Sequence, residues 1–291
     1  MSHLRLPAPA KLNRFLHITG RRNDGYHLLQ TVFQLIDQMD WLTFEPNHTL
    51  ELICDLPFPP QDNLIIHAAQ LLQHTTGCNQ GAKITLEKNL PMGGGLGGGS
   101  SDAATTLLAL NHLWQTRLSI DELAQLGLKL GADVPVFVRG QNAWAEGVGE
   151  LLLPIELPES HFVVLTPHCF VSTAEIFNYP ALPRNTPLIS PSYFLAELQN
   201  QYHDKKTHND CEIVVRKLYP EVNQALQFLE QIQQQSNELI EQPQLTGTGA
   251  CVFLLTPTRE LADKILKQSP FKGFVCSGIG QSPVHTALNL L

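Results

Sequence analysis

The stretch Pro91–Ser101, P-M-G-G-G-L-G-G-G-S-S, places six glycines in the seven positions 93–99. Each glycine carries backbone freedom that folding must remove, so packing alone does not explain such a cluster. What it permits is close approach of the backbone to a bound group. Directly after it, Ser101 to Trp114 predicts a helix with Ala104, Leu107, Leu108 and Leu110 on its apolar side. A helix that opens from a glycine loop collects unpaired N–H groups at the positive end of its dipole, which makes an anion site, with phosphate the expected anion. A flexible linker would not end in an amphipathic helix, and a tight turn without a ligand needs one or two glycines.

The loop is not a Walker A motif, because no lysine followed by Ser or Thr closes the glycines. Gly93, Gly95 and Gly98 satisfy G-x-G-x-x-G, but a run this rich in glycine matches that template almost automatically. The acidic residue expected at the next strand end of a dinucleotide fold is replaced by Asp121 and Glu122, which open a second helix with Ser119 as its cap.

At 291 residues, with 43% hydrophobic and 16% charged side chains, the chain has the composition of a folded globular protein. A formal net charge of -8 argues against a general nucleic-acid or anionic-membrane binder. An anionic small molecule would need a local cationic pocket, for which Lys11, Arg14, Arg21, Arg22 and Lys88 are candidates beside their plainer role as solvated charges. Six cysteines, none paired as C-x-x-C, fit reduced thiols in a cytoplasmic protein. The N-terminus lacks an apolar signal region, and no run reaches the ~18 residues of a membrane helix. His203, His208 and Cys211 lie close in sequence but lack the paired spacing of a zinc site, so no protein-held metal cluster is expected.

Extended segments are predicted at Leu4–Leu6, Leu12–Ile18, Thr31–Ile36, Trp41–Phe44, Leu50–Cys54 and Lys83–Glu87, with a helix over Asn63–Thr75. Beyond the loop, helices are predicted at Ser101–Trp114 and Ser119–Leu130, and strands at Val134–Val138 and Asn142–Glu146. The proline-bearing run Glu150–Ser160 reads as a boundary between residues 1–153 and 154–291. The second half mixes strands at Phe162–Leu165, Val252–Leu255 and Gly273–Cys276 with helices near Ser192–Leu198, Glu212–Leu218, Val222–Ile232 and Arg259–Gln268. This order predicts an α+β architecture.

Three motifs in order, Pro9-Ala10-Lys11-Leu12-Asn13, the glycine loop running into Asp102-Ala103-Ala104, and Leu245–Phe253 (L-T-G-T-G-A-C-V-F), resemble those of the GHMP kinase superfamily. Gly20–His27, Gly131–Phe137, Leu182–Thr186 and Asn209–Glu212 look like the branch that phosphorylates a CDP-linked methylerythritol. Asp102 stands where some members carry Asn. The resemblance implies a two-domain fold, with an N-terminal ribosomal-protein-S5-domain-2-like half, a ferredoxin-like C-terminal half and the active site in the cleft between them. It also implies ATP and Mg2+ as cofactors, a small-molecule alcohol as substrate and a monomer or weak homodimer. ATP would lie along Pro91, Met92, Gly93, Gly94, Gly95, Leu96, Gly97, Gly98, Gly99, Ser100 and Ser101, with Asn63 and Lys88 nearby.

Phosphoryl transfer asks for positioning, charge neutralisation and a group that orients or takes the acceptor proton. Asp133, read as lying at the end of a strand, is the candidate base, its plainer role being to bond its own turn. Lys11 is a cation in the apolar context A-K-L-N-R-F-L and needs a carboxylate or phosphate partner, so it is paired with Asp133. A carboxylate paired with an ammonium is a weak base, which leaves orienting and abstracting both open. Asn13 would hold that pair or the substrate. The resemblance assigns cytosine recognition to Tyr26, His27 and Phe177, and Thr248 in the third motif to the substrate, although aromatics in such positions more often pack in a core or lie on the surface. Other members of the superfamily, a nucleotide sensor without catalysis, and more distantly a dehydrogenase, are the competing readings.

Overall fold

A computed structural model describes residues 3–199, 206–236 and 241–290. The first half contains β1 (Leu4–Arg21), β2 (His27–Asn47), β3 (Leu50–Ile53), α1 (Leu64–Thr76), β4 (Gly81–Glu87), α2 (Gly98–Leu113), α3 (Ile120–Leu128), α4 (Val134–Arg139), β5 (Ala143–Glu146) and β6 (Leu151–Pro154). The second contains β7 (His161–Leu165), α5 (Thr173–Asn178), α6 (Pro191–Leu198), α7 (Glu212–Leu218), α8 (Pro220–Gln235), β8 (Gln244–Leu245), β9 (Val252–Thr256), α9 (Arg259–Gln268), β10 (Gly273–Ile279) and α10 (Pro283–Ala287).

The strands form one mixed sheet in the order β3-β4-β2-β10-β7-β9-β8, with β1 and β5 on β2 and β6 on β5. The order makes β2 the strand on which both halves converge. Its outer part pairs with β4, while Ile36 and Leu35 face Gly278 and Ile279 of β10. Between those parts the pairing with β1 jumps from Pro9↔Met39 to Ala10↔Ile36, so Asp37 and Gln38 bulge and the strand changes direction.

The expected strand pairs at 4–6 and 12–18, and at 31–36 and 41–44, are each one continuous strand. Pro7 and Pro9 broke the alternating pattern of β1 without breaking the strand: β2 is the one named strand β1 ladders with, the two prolines stay in register with Trp41 and Met39, and the bonds on the other edge of β1 fall further along, at Lys11 and Leu16. A second bulge, between Asn13 and Leu16, lies beside the candidate residues Lys11 and Asn13.

The strand expected at Val134–Val138 is the helix α4. Pro135 in the first turn and left-handed Gly140 directly after the last residue are helix start and stop signals that outweigh the β-branched run V-P-V-F-V. Burial of all five residues 134–138 explains the misleading absence of polar alternation. The run Glu150–Ser160 contains the edge strand β6, which extends the sheet from β5.

Helices α1 to α4 cover one face of the first half, burying Ile65, Leu72, Leu107, Leu110 and Val138 with Leu6 and Phe44 from the sheet. Val284 and Leu288 return to this core from the C-terminal end of the described chain. Val163, Val215, Leu226 and Ile265 form the second core. Between them Ala10, Leu12, Ile36 and Leu96 from the first half meet Phe162, Phe253 and Cys276 from the second, immediately behind the glycine loop.

The loop is approached through a buried charge cluster. Lys88 Nζ lies 2.5 Å from Asp40 Oδ2 and 2.8 Å from Asp102 Oδ2. Asp40 Oδ1 also accepts the backbone N–H groups of Asn89 and Leu90, at 2.6 and 2.8 Å, which fixes the chain entering the loop. Two carboxylates share one ammonium. Burial disfavours the Lys88 cation, but Asp102 and Asp40 together outweigh it and raise its pKa. Burial pushes Asp102 from 3.8 up to about 7 against the pull of Lys88, with Asp40 adding to the rise.

Truncating Phe253, which packs edge-on against Phe162 at a centroid distance of 5.8 Å, is expected to cost about 3–5 kcal/mol. Urea unfolding of Phe253→Ala checks it, and a loss below about 1 kcal/mol would remove this cluster as the joint between the halves. The folded state holds the Asp102 proton more tightly than the unfolded state, so this group's contribution to stability falls as pH rises between the two pKa values. Asp102→Asn is therefore expected to unfold at higher denaturant than the parent at pH 8, with the gap closing towards pH 4. A gap that widens on acidification would contradict the raised pKa.

Candidate active site

The glycine loop is tied down through its carbonyls. Gly93 O accepts from Ala250 N at 3.1 Å, Gly94 O from Cys251 N at 3.2 Å, and Leu96 O from Lys11 N at 3.0 Å. The loop is thus stitched to the third motif on one side and to β1 on the other, and its N–H groups remain for a ligand. Gly93, Gly95 and Gly97 all have positive φ, and the last two face buried neighbours. Gly95 has φ +75 and a Cβ there would stand 2.0 Å from Thr246 O; Gly97 has φ +73 and a Cβ would strike the Phe137 ring at 2.8 Å. A cavity of about 350 Å³ lies over the loop, lined by Asn63, Lys88, Asp102 and every residue from Pro91 to Ser100.

A second, larger cavity of about 600 Å³ is lined by Lys11, Asn13, Tyr26, His27, Asp133, Phe177 and Thr248, and it shares Gly95 and Gly97 with the first. The candidate catalytic and substrate residues, drawn from β1, the β1–β2 turn, α4, α5 and the third motif, therefore converge. The junction of the two cavities is occupied by Lys11. The residue is 2% exposed, and Nζ donates to Asn13 Oδ1 at 2.6 Å and Gly95 O at 2.8 Å and pairs with Asp133 Oδ2 at 3.3 Å. Three oxygens match the three N–H bonds of the ammonium.

Asp133 stands at the N-cap of α4, not at a strand end, and its carboxylate makes no capping bond to that helix. Its side chain is 33% exposed and looks into the larger cavity, with Lys11 as its partner. Asn13 is held at three points: Oδ1 by Lys11, Nδ2 by Thr31 Oγ1 at 3.0 Å, and its backbone N by Thr246 Oγ1 at 3.1 Å. The Thr248 hydroxyl bonds that of Thr173 at 2.9 Å.

The remaining candidates are placed as follows. Tyr26 is exposed at the mouth, while the His27 ring is buried and stacks on Phe177 at 5.0 Å. Asn63 lines the loop cavity but spends Oδ1 on capping α1 through Ile65 N. Ser101 lies under the loop, with its Oγ buried and unpartnered, and does not line the cavity. His203 lies outside the described residues, His208 bonds Asp210 at 2.9 Å, and no group of three or more His, Cys, Asp or Glu suited to a metal occurs among the described residues. Sequence reasoning missed Asp40, Thr31 and Thr246. Asp40 carried a readable signal, an acid inside the otherwise apolar M-D-W-L, which a buried strand tolerates only with partners. Thr31 carried none, and Thr246 stood inside the third motif without a role of its own.

Residues 63–141 match the family model described as GHMP kinases N terminal domain. The chain is 51% identical over 97% of its length to 4-diphosphocytidyl-2-C-methyl-D-erythritol kinase of Shewanella loihica, covering 96% of that protein. It is 50% identical over its whole length to the protein of the same name from Haemophilus ducreyi, covering 99% of it. A crystal structure of 4-(cytidine 5'-diphospho)-2C-methyl-D-erythritol kinase superposes with a TM-score of 0.81 at 32% identity, over 95% of this chain and 100% of that one. Mevalonate kinase of Methanococcus jannaschii, at 16% identity and a TM-score of 0.68 over 96% of this chain and 99% of that one, shares the fold. With the loop, the cleft and full-length likeness in agreement, the chain belongs to the 4-diphosphocytidyl-2-C-methyl-D-erythritol kinase family within the GHMP kinases.

Proposed function

We propose that the cleft transfers the γ-phosphoryl group of ATP to the 2-hydroxyl of 4-diphosphocytidyl-2-C-methyl-D-erythritol, giving the 2-phosphate and ADP in the methylerythritol phosphate route to isopentenyl diphosphate. The observation that carries this reading is the position of the Lys11–Asp133 pair where the loop cavity and the larger cavity share Gly95 and Gly97. ATP binds the loop with its phosphates against the N–H groups of residues 93–99 and the first turn of α2. The cytidine end of the acceptor occupies the side lined by Tyr26, His27 and Phe177, with its alcohol reaching towards Asp133.

Each residue then has a chemical task. Lys11, anchored by Asn13 and the Gly95 carbonyl, offsets the negative charge that grows on the transferred group, and its burial strengthens that effect. Asp133 accepts a hydrogen bond from the attacking hydroxyl and aligns it, taking its proton as the new P–O bond forms. Thr248 steadies the acceptor beside it. The chain's own donor set fits Mg2+ in the way kinases commonly hold it, with few protein oxygens and mostly phosphate. Asp102 Oδ1, buried without a partner in the wall of the loop cavity, is the oxygen suited to it directly or through water. Bound there, the ion would supply charge neutralisation at the phosphates. A cytoplasmic setting suits the six free thiols, and no helix among the described residues is long and apolar enough to cross a membrane.

Asp133→Asn and Lys11→Ala are each expected to lower kcat by at least about 10²-fold, with the Kd for ATP changed only a few-fold. Coupled ADP release and calorimetry measure the two quantities; parental turnover in both variants would overturn the assignment. Gly95→Ala is expected to abolish ATP binding, because its Cβ cannot coexist with Thr246 O at 2.0 Å. A folded Gly95→Ala chain with the parent's ATP affinity would remove the loop from the site.

A further inference from the structure

Arg184 lies between α5 and α6 and donates each of its five N–H bonds. Nε donates to His27 Nε2 at 3.1 Å, Nη1 to the carbonyls of Pro180 (3.4 Å) and Leu182 (3.0 Å), and Nη2 to those of Phe177 (3.1 Å) and Tyr179 (2.8 Å). One planar fork thus binds the turn that ends α5 to the imidazole of His27, the first residue of β2. A lysine has neither the plane nor the number of donors to replace it.

The bond to His27 fixes more than position. A guanidinium has no acceptor and keeps its charge, so the ring nitrogen facing it must carry a lone pair. His27 is then neutral, with its hydrogen on Nδ1. Burial, followed by the positive charges of Arg184 and Arg21, holds the His27 pKa below the ordinary imidazole range, which keeps Nε2 bare at neutral pH. His27 is 8% exposed and lines the larger cavity. Nδ1 has no hydrogen-bond partner among the described residues, so its N–H is left for a ligand. On the ring's flat side lies Phe177, 29° from parallel, whose own carbonyl the same guanidinium holds.

We propose that Arg184 is a positioning residue that sets the preference of the larger cavity for cytosine over uracil, by locking His27 as an Nδ1–H donor and holding Phe177 stacked on it. The proposal rests on reading that cavity as the seat of a cytidine-linked alcohol. Cytosine presents acceptors at N3 and O2, whereas uracil carries a hydrogen on N3. A locked donor suits the first ring and sets N–H against N–H in the second. An imidazole free to move its proton would suit either ring, so discrimination depends on the group that prevents the move. This is a repulsive element against the wrong base as well as an attractive one for the right base.

The tautomer is read directly from the 15N and 1H shifts of His27 in the ligand-free full chain, assigned by difference from His27→Gln. A protonated Nδ1 and a bare Nε2 are expected in the parent, and an Nε2–H population in Arg184→Met. By calorimetry the ratio of CDP to UDP affinity is expected to fall about tenfold or more in Arg184→Met, a loss typical of a site that mispairs a polar edge, with ATP affinity held within a few-fold. Arg184→Lys, which keeps the charge but not the fork, is expected to lose most of the ratio as well. A parent chain that binds CDP yet shows Nε2–H, or a folded Arg184→Met chain with an unchanged CDP to UDP ratio, overturns the proposal alone. A parent chain that binds neither CDP nor UDP overturns the cavity reading together with it. Should Arg184→Met not fold, the tautomer of the parent decides.

Discussion

One buried ammonium organises the cleft. Lys11 brings a strand, a loop and a helix to a single point, since its three oxygens come from Asn13 on β1, Gly95 in the glycine loop and Asp133 at the start of α4. A lysine 2% exposed is tolerable only with such partners, because an unpaired buried charge costs several kcal/mol. The geometry that keeps the charge buried also leaves it where negative charge would develop between two cavities. Stability and chemistry are thus served by the same contacts, and Asp133, being one of them, cannot move far from the junction.

Around that point the fold works mainly by restraint. The loop would be a floppy run of glycine if its carbonyls were not held by Lys11, Ala250 and Cys251. Its entry is clamped by Asp40, which takes two backbone N–H groups and shares Lys88 with Asp102. On the other side Arg184 does for the aromatic platform what Lys11 does for the junction, spending four donors on the turn at 177–182 and the fifth on His27. The bulges of the β1–β2 pair supply the remaining freedom, turning β2 from one half to the other and re-aiming the residues after Asn13.

How far the sequence discloses this differs by feature. The glycine loop was legible because its composition has no other economical explanation, and Lys11 because an apolar neighbourhood demands a partner. α2 begins three residues earlier than its apolar pattern indicates, since Gly98 and Gly99 join the helix with no side chain to mark the face. Val134–Val138 read as a strand because a short helix buried on all sides shows no polar stripe, although Pro135 and Gly140 held the correction. The long strands were broken in two by prolines and by a bulge, neither of which ends the strand: pairing shifts register at the bulge and resumes beyond it. Arg184 and Thr246 lay inside quoted motifs, but their roles were not visible, because what they do depends on which distant carbonyls or rings come to face them.

The junction of cavities, loop and Lys11–Asp133 pair is tested most directly by following labelled phosphate. ATP labelled at the γ-position, incubated with the chain and 4-diphosphocytidyl-2-C-methyl-D-erythritol, is expected to pass its label to the alcohol as a stable monoester, with one ADP formed per label transferred. Label recovered only as inorganic phosphate, or retained in ATP while both ligands are bound, would contradict a phosphotransferase acting on that alcohol.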